Sequence, residues 1–193
     1  MHWNSYLQQT IDALRAVDPV PLDALANCIL HAWVCGRTVF SCGNGGSASN
    51  ASHLAQDLSK GTLVEGVSPL RTICLCDNVS ALTAWANDSG YEYVFSEPLR
   101  ALGQPGDVLV AISGSGNSEN VLRAVRTAHG LQMRTWGVCG FGGGRLIDLA
   151  HRSVHVPSGE MGIVEAVHGV LFHWLVEILR ARQARTFSIV DAA

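Results

Sequence analysis

Lysine is almost missing from this 193-residue chain: Lys60 is the only one, beside twelve arginines. Charged residues of both signs make up 15% of the sequence, against about 25% in an average globular protein. The arginines form no basic run and the formal net charge is −3, so neither nucleic acid nor an anionic membrane is an expected partner. Uninterrupted apolar runs of about eighteen residues are also lacking, which argues against a membrane span. The opening MHWNSYLQQTIDALRAV has no charged start followed by a continuous apolar stretch, and so does not read as a signal peptide. The six cysteines (Cys28, Cys35, Cys42, Cys74, Cys76, Cys139) include no CxxC pair. That spacing fits small buried thiols in a reducing cytoplasm better than a thiolate zinc site.

Apolar residues, in contrast, reach 48%. A surface this poor in charge implies that part of it is covered by other subunits, and an oligomer is expected. No low-complexity linker divides residues 1–193, which are read as a single domain. Helical spacing of Tyr6, Leu7, Ile11 and Leu14, and then of Leu22, Leu25, Ile29 and Trp33, places a helical hairpin over residues 1–36. Over residues 37–193, strands at 37–43, 71–77, 107–113, 133–140 and 151–157 alternate with helices at 47–61, 79–88, 92–102 and 117–129. A long amphipathic helix spans roughly 162–183. Alternation of this kind predicts an α/β three-layer sandwich around a five-stranded parallel sheet, flavodoxin-like, preceded by two N-terminal helices.

Two glycine/serine loops follow apolar strands: FSCGNGGSAS at 40–49 and AISGSGNSEN at 111–120. In a parallel sheet ligands bind beyond the carboxyl ends of the strands, where both loops lie. Glycines allow close backbone approach, serines add neutral donors, and the helix N-terminus that follows favours an anion. With no Walker lysine motif present, the pair suits a phosphate, cradled by Ser113, Gly114, Ser115 and Ser118. Ordinary strand-to-helix turns with N-cap serines are the alternative. Gly43–Ala48 also satisfies the loose G-x-G-x-x-A dinucleotide fingerprint. Asp77 lies over thirty residues on, however, too far for the usual ribose-binding acid, and a second serine loop would then go unexplained.

His53 and Asp57 are four residues apart and share a helix face. Glu165 and His173 lie on the last helix with His168 between them. Imidazoles with carboxylates can hold zinc, although His53–Asp57 alone also reads as an ordinary surface pair.

The motifs SCGNGGSAS…HLAQDL, NDSGYEYVFS, GDVLVAISGSGNSENV and EAVHGVLFH together resemble the SIS (sugar isomerase) domain family, most closely its phosphoheptose isomerase branch. The resemblance runs over nearly the whole chain. It implies aldose–ketose isomerisation of sedoheptulose 7-phosphate, or of a related seven- or eight-carbon sugar phosphate, by a homotetramer with interfacial active sites. The family also has a non-catalytic, protein-binding branch, so an adaptor or sensor of a sugar phosphate is the alternative.

The family's metal and catalytic positions fall on His53, Asp57, Glu165 and His173, and imply one zinc per subunit. Asp57 would be the base on one carbon and His173 the acid/base on its neighbour, with Glu165 a second candidate base. Asn44, Gly45, Gly46, Ser47, Asn87, Asp88 and Glu165 would join the serine loop in holding substrate. Several positions depart from the family pattern. Asp57 replaces a glutamate, Glu165 a glutamine, Gly114 a threonine and Gly162 an aspartate, and LSKGTLVEG lacks the usual Gly-Arg. Glu165 and His173 are eight residues apart, about 12 Å along a regular helix, so one ion could reach both only through a helix start or kink near Glu165 or a second subunit.

Overall fold

The computed structural model describes residues 2–190, with side chains to residue 183. α1 (Trp3–Arg15) and α2 (Pro19–Val34) form the leading hairpin. Asp18 caps α2 by accepting the Val20 N–H at 2.9 Å, and Pro19 occupies a first-turn position where its missing N–H costs nothing. Then follow β1 (Thr38–Cys42), α3 (Gly46–Gln56), a π-turn (Asp57–Gly61) and β2 (Arg71–Cys74). α4 (Val79–Asp88), a 3₁₀ turn (Tyr91–Tyr93), α5 (Ser96–Leu102), β3 (Val108–Ser113) and α6 (Glu119–Gly130) come next. β4 (Arg134–Cys139), the short α7 (Leu146–Leu149), β5 (Arg152–His155) and α8 (Met161–Val190) complete the chain.

All five strands pair in parallel in the order β2-β1-β3-β4-β5, the flavodoxin-like order. The sequence TVFSC of β1 and VLVAIS of β3 is buried throughout, as expected of central strands covered on both faces. Side chains alternate between the faces. Val108, Val110 and Ile112 join a core with α1, α2, α3 and α8, while Leu109 and Ala111 join one with α5, α6 and α7. Helices therefore flank both faces, and the sheet forms the middle layer.

Three elements differ from the sequence expectation. The helix expected over 47–61 ends at Gln56 and continues as the π-turn, whose end is fixed by Thr62 Oγ1 donating to Leu58 O. The segment 92–102 is split at Val94–Phe95, both buried. β2 stops at Cys74, so Cys76 is not on its face; its backbone N–H instead approaches Cys74 Sγ at 3.4 Å.

α8 contains a stretch, Met161–Gln183, long and apolar enough by length and composition to cross a bilayer. Val164, Val167, Leu171, Leu175 and Leu179 of that stretch are buried in the core with α1, α2 and α3, so packing accounts for its apolarity.

Candidate active site

The strand order reverses between β1 and β3, which makes the carboxyl ends of those two strands the topological switch point. Both glycine/serine loops leave the sheet there. They enclose a pocket of about 230 Å³ lined by Asn44–Ser47 from the first loop, Ser113–Ser115 and Ser118 from the second, and Met161 and Glu165 from α8.

The second loop is braced by the chain that follows β4. Gly140 N–H donates to Gly114 O at 2.8 Å and Leu146 N–H to Gly116 O at 2.9 Å. A Cβ at Gly116, whose φ is +66°, would collide with the Gly143 carbonyl, so glycine is required where the two loops meet. Ser118 stands at the N-cap of α6, yet its hydroxyl makes no cap bond. It lies 3.2 Å from the Ser113 hydroxyl instead, and the Ser115 hydroxyl accepts from Asn117 N–H at 3.3 Å. Three serine side chains thus stand at the mouth of a helix N-terminus, an arrangement suited to an oxyanion.

The first loop is fixed by a pairing that the sequence did not reveal. Asn44 and Asn120 exchange two side-chain hydrogen bonds, of 2.9 and 2.8 Å. The Tyr91 hydroxyl donates to Asn44 Oδ1 at 2.9 Å. Asn120 is buried, and its Oδ1 also accepts the Val121 N–H at 3.0 Å. Neither Tyr91 nor Asn120 is singled out by sequence. The one available signal is that Asn120 falls on the apolar face of α6, beside the buried Val121 and Ala124.

A titratable cluster sits about two helix turns further along α3 and α8. Asp57 Oδ2 lies 3.2 Å from His53 Nε2 and 3.5 Å from His173 Nδ1, and the two imidazoles meet edge to face with centroids 4.9 Å apart. α3 supplies His53, the start of the π-turn supplies Asp57 and α8 supplies His173. One ligand atom from each lies within 4.8 Å of the others. Two imidazoles and a carboxylate around an open position are the donor set of catalytic zinc sites, so the residues present fit that ion. His53 is 51% exposed and His173 63%, leaving the cluster open on one side.

Glu165 is not in this cluster. α8 is continuous from Met161, with no break near Glu165, and the Glu165 carboxylate is turned onto Gly46, where a side chain on that residue would collide with it. Within one subunit it therefore belongs to the loop pocket. Asn87 and Asp88 end α4, bonded to each other at 2.8 Å, and do not line the pocket. His168 is fully buried on α8 and its Nε2–H donates to Cys139 O at 3.5 Å. Burial lowers its pKa to about 4, so it is a neutral residue beneath the site.

The SIS domain model matches residues 2–140. The phosphoheptose isomerase of Rhodospirillum rubrum is 39% identical over 163 residues, which are 84% of this chain and 86% of that one. That of Thiobacillus denitrificans is 37% identical over 91% of this chain and 90% of its own length. The structure of the Neisseria gonorrhoeae phosphoheptose isomerase superposes with a TM-score of 0.86 at 32% identity, covering 92% of this chain and 96% of that one.

Proposed function

The chain belongs to the SIS domain family, and we propose that it is a phosphoheptose-type isomerase interconverting sedoheptulose 7-phosphate and its aldose phosphate. The observation that carries this reading is that α3 and α8 supply both a serine-lined oxyanion pocket and, further along, the His53–Asp57–His173 cluster, in a chain 37–39% identical to proteins named for that activity.

The phosphate occupies the pocket between the two loops, held by Ser113, Ser115, Ser118 and the backbone of Gly45, Gly46 and Gly114. Asn44 and Ser47 line the same pocket and orient the sugar chain. Glu165, over Gly46, receives sugar hydroxyls. The carbonyl end then reaches Asp57. Its carboxylate removes the proton from the hydroxyl-bearing carbon next to the carbonyl, the C–H electron pair becomes the C=C bond, and the carbonyl oxygen takes the proton of the neighbouring hydroxyl as its own π pair moves onto it, giving the enediol in its monoanionic form. The proton on Asp57 passes to the neutral His173, 3.5 Å away. His173 delivers that proton to the former carbonyl carbon as the C=O bond of the aldehyde closes on the deprotonated oxygen, and both groups are back in their starting states. Asn87 and Asp88 would enter only through the mobile end of a long substrate or a neighbouring subunit.

His53, Asp57 and His173 would hold a zinc ion. Bound there, zinc would polarise the carbonyl and stabilise negative charge on the sugar oxygens.

The enzyme works as a homotetramer with interfacial sites. Val170 and Trp174 are exposed beside His173 on α8, and an enediol site needs water excluded from that open side. The six cysteines are free thiols, which supports a soluble protein in a reducing cytoplasm.

Incubation with sedoheptulose 7-phosphate, followed by proton NMR for the aldose, tests the assignment. Tight binding without any aldose, in metal-loaded protein, would replace the isomerase by a sugar-phosphate sensor.

A further inference from the structure

The ends of the strands opposite the loops frame a larger cavity, of about 700 Å³, within the roughly 300–1,000 Å³ of small-molecule sites. Arg134 opens β4 and Arg152 opens β5, and the strand register sets Arg152 beside Trp136. Both arginines line the cavity, with His31 of α2, His129 of α6 and His151. No aspartate or glutamate lines it, although acidic residues outnumber Lys and Arg by 16 to 13 in the chain. Among the described residues neither arginine has an ion-pair partner. The Arg152 guanidinium rests instead 5.7 Å from the centre of the Trp136 ring. Two arginines lining one carboxylate-free space favour an anion there, and the fork geometry of a guanidinium suits an oxyanion.

The histidines are held in register. Thr135 N–H donates to His151 Nδ1 at 3.1 Å, which fixes that nitrogen as an acceptor. The Thr135 hydroxyl lies 2.7 Å from the same nitrogen and 2.9 Å from His129 Nε2. A neutral His151 therefore carries its proton on Nε2, a donor with no internal partner among the described residues. The sugar-phosphate reaction at the far strand ends uses none of these groups.

We propose that this cavity is a second ligand site, binding a small oxyanion with at least two negative charges between Arg134 and Arg152. Calorimetric titration of the full-length protein, saturated with sedoheptulose 7-phosphate, tests this with inorganic pyrophosphate and, separately, tricarballylate, so that phosphate and carboxylate sources are distinguished. One equivalent of at least one probe is expected to bind per chain. Affinity should fall about tenfold or more in Arg134→Gln/Arg152→Gln, while isomerase turnover without probe is unchanged. Arg152→Gln alone should give an intermediate affinity and keeps the test readable if the double variant fails to fold. Binding at the loops, or metal chelation, would be common to all these proteins, so the difference between them is the readout. Equal affinity in the wild type and the folded variants, or no binding of either probe, would overturn the proposal.

Discussion

The carboxylate of Glu165 fills the space that a side chain on Gly46 would need, so a residue of α8 and the first residue of α3 close the loop pocket together. Gly46→Ala should leave the fold intact, because alanine in a helix is worth up to about 1 kcal/mol over glycine. It should push Glu165 out of the pocket, and a displacement of about 1 Å at a site of strict geometry costs on the order of 10²-fold in turnover. Thermal melting and isomerase assays on the same sample check both halves. Unchanged turnover would show that Glu165 has no part in substrate handling.

Tyr91, Asn44 and Asn120 form a chain of neutral hydrogen bonds under the first loop. Tyr91→Phe removes one donor at an exposed position and should raise KM about three- to tenfold, in line with ~0.5–1.5 kcal/mol for one bond. Asn120→Ala leaves the Asn44 amide without both of its Asn120 bonds and should cost about 1–3 kcal/mol of stability as well. Urea unfolding and steady-state kinetics of the two variants distinguish the effects.

His168 ties stability to pH. Its pKa falls from 6.5 to about 4 through burial, with the bond to Cys139 O opposing. The folded state thus resists protonation while the unfolded chain accepts it. The stability this neutral residue contributes is fully present above about pH 6.5. It is lost as pH falls through that value towards about 4, a total of order 3 kcal/mol. His168→Gln should flatten the stability curve between these pH values, and unfolding followed at several pH values measures it.

The zinc site proposed at His53, Asp57 and His173 predicts an activity sensitive to chelation. Prolonged dialysis against a chelator should abolish turnover, and added zinc should restore it. His53→Ala should lower the bound zinc per chain, measured by atomic absorption, without altering the sheet.

Much of this was legible in the sequence because it depends on local pattern. Continuous apolar runs in TVFSC and VLVAIS mark β1 and β3 as central strands, and the glycines and serines after them mark the two loops that line one pocket. The i, i+4 spacing of His53 and Asp57 places both on one face. What the sequence hid depends on long-range packing. Asn44 and Asn120 are seventy-six residues apart, and nothing local to either announces the pairing. The π-turn that starts at Asp57 packs against α8, where a Cβ on Gly61 would crowd Val176 at 3.1 Å. α7 is a single turn within GGGRLIDLA, too short to show a period. The direction of Glu165, towards Gly46 and not towards His173, follows from the unbroken course of α8.

The most direct test of the account is deuterium uptake by sedoheptulose 7-phosphate in D₂O, followed by proton NMR with wild-type protein and with Asp57→Asn. The account predicts label at C1 of the ketose and at C2 of the aldose with the wild type. With the variant it predicts exchange slower by about 10²-fold or more, at unchanged affinity for inorganic phosphate in the loop pocket. Exchange at the wild-type rate in Asp57→Asn would contradict the assignment of Asp57 as the base, and no exchange in metal-loaded wild type would contradict the isomerase itself.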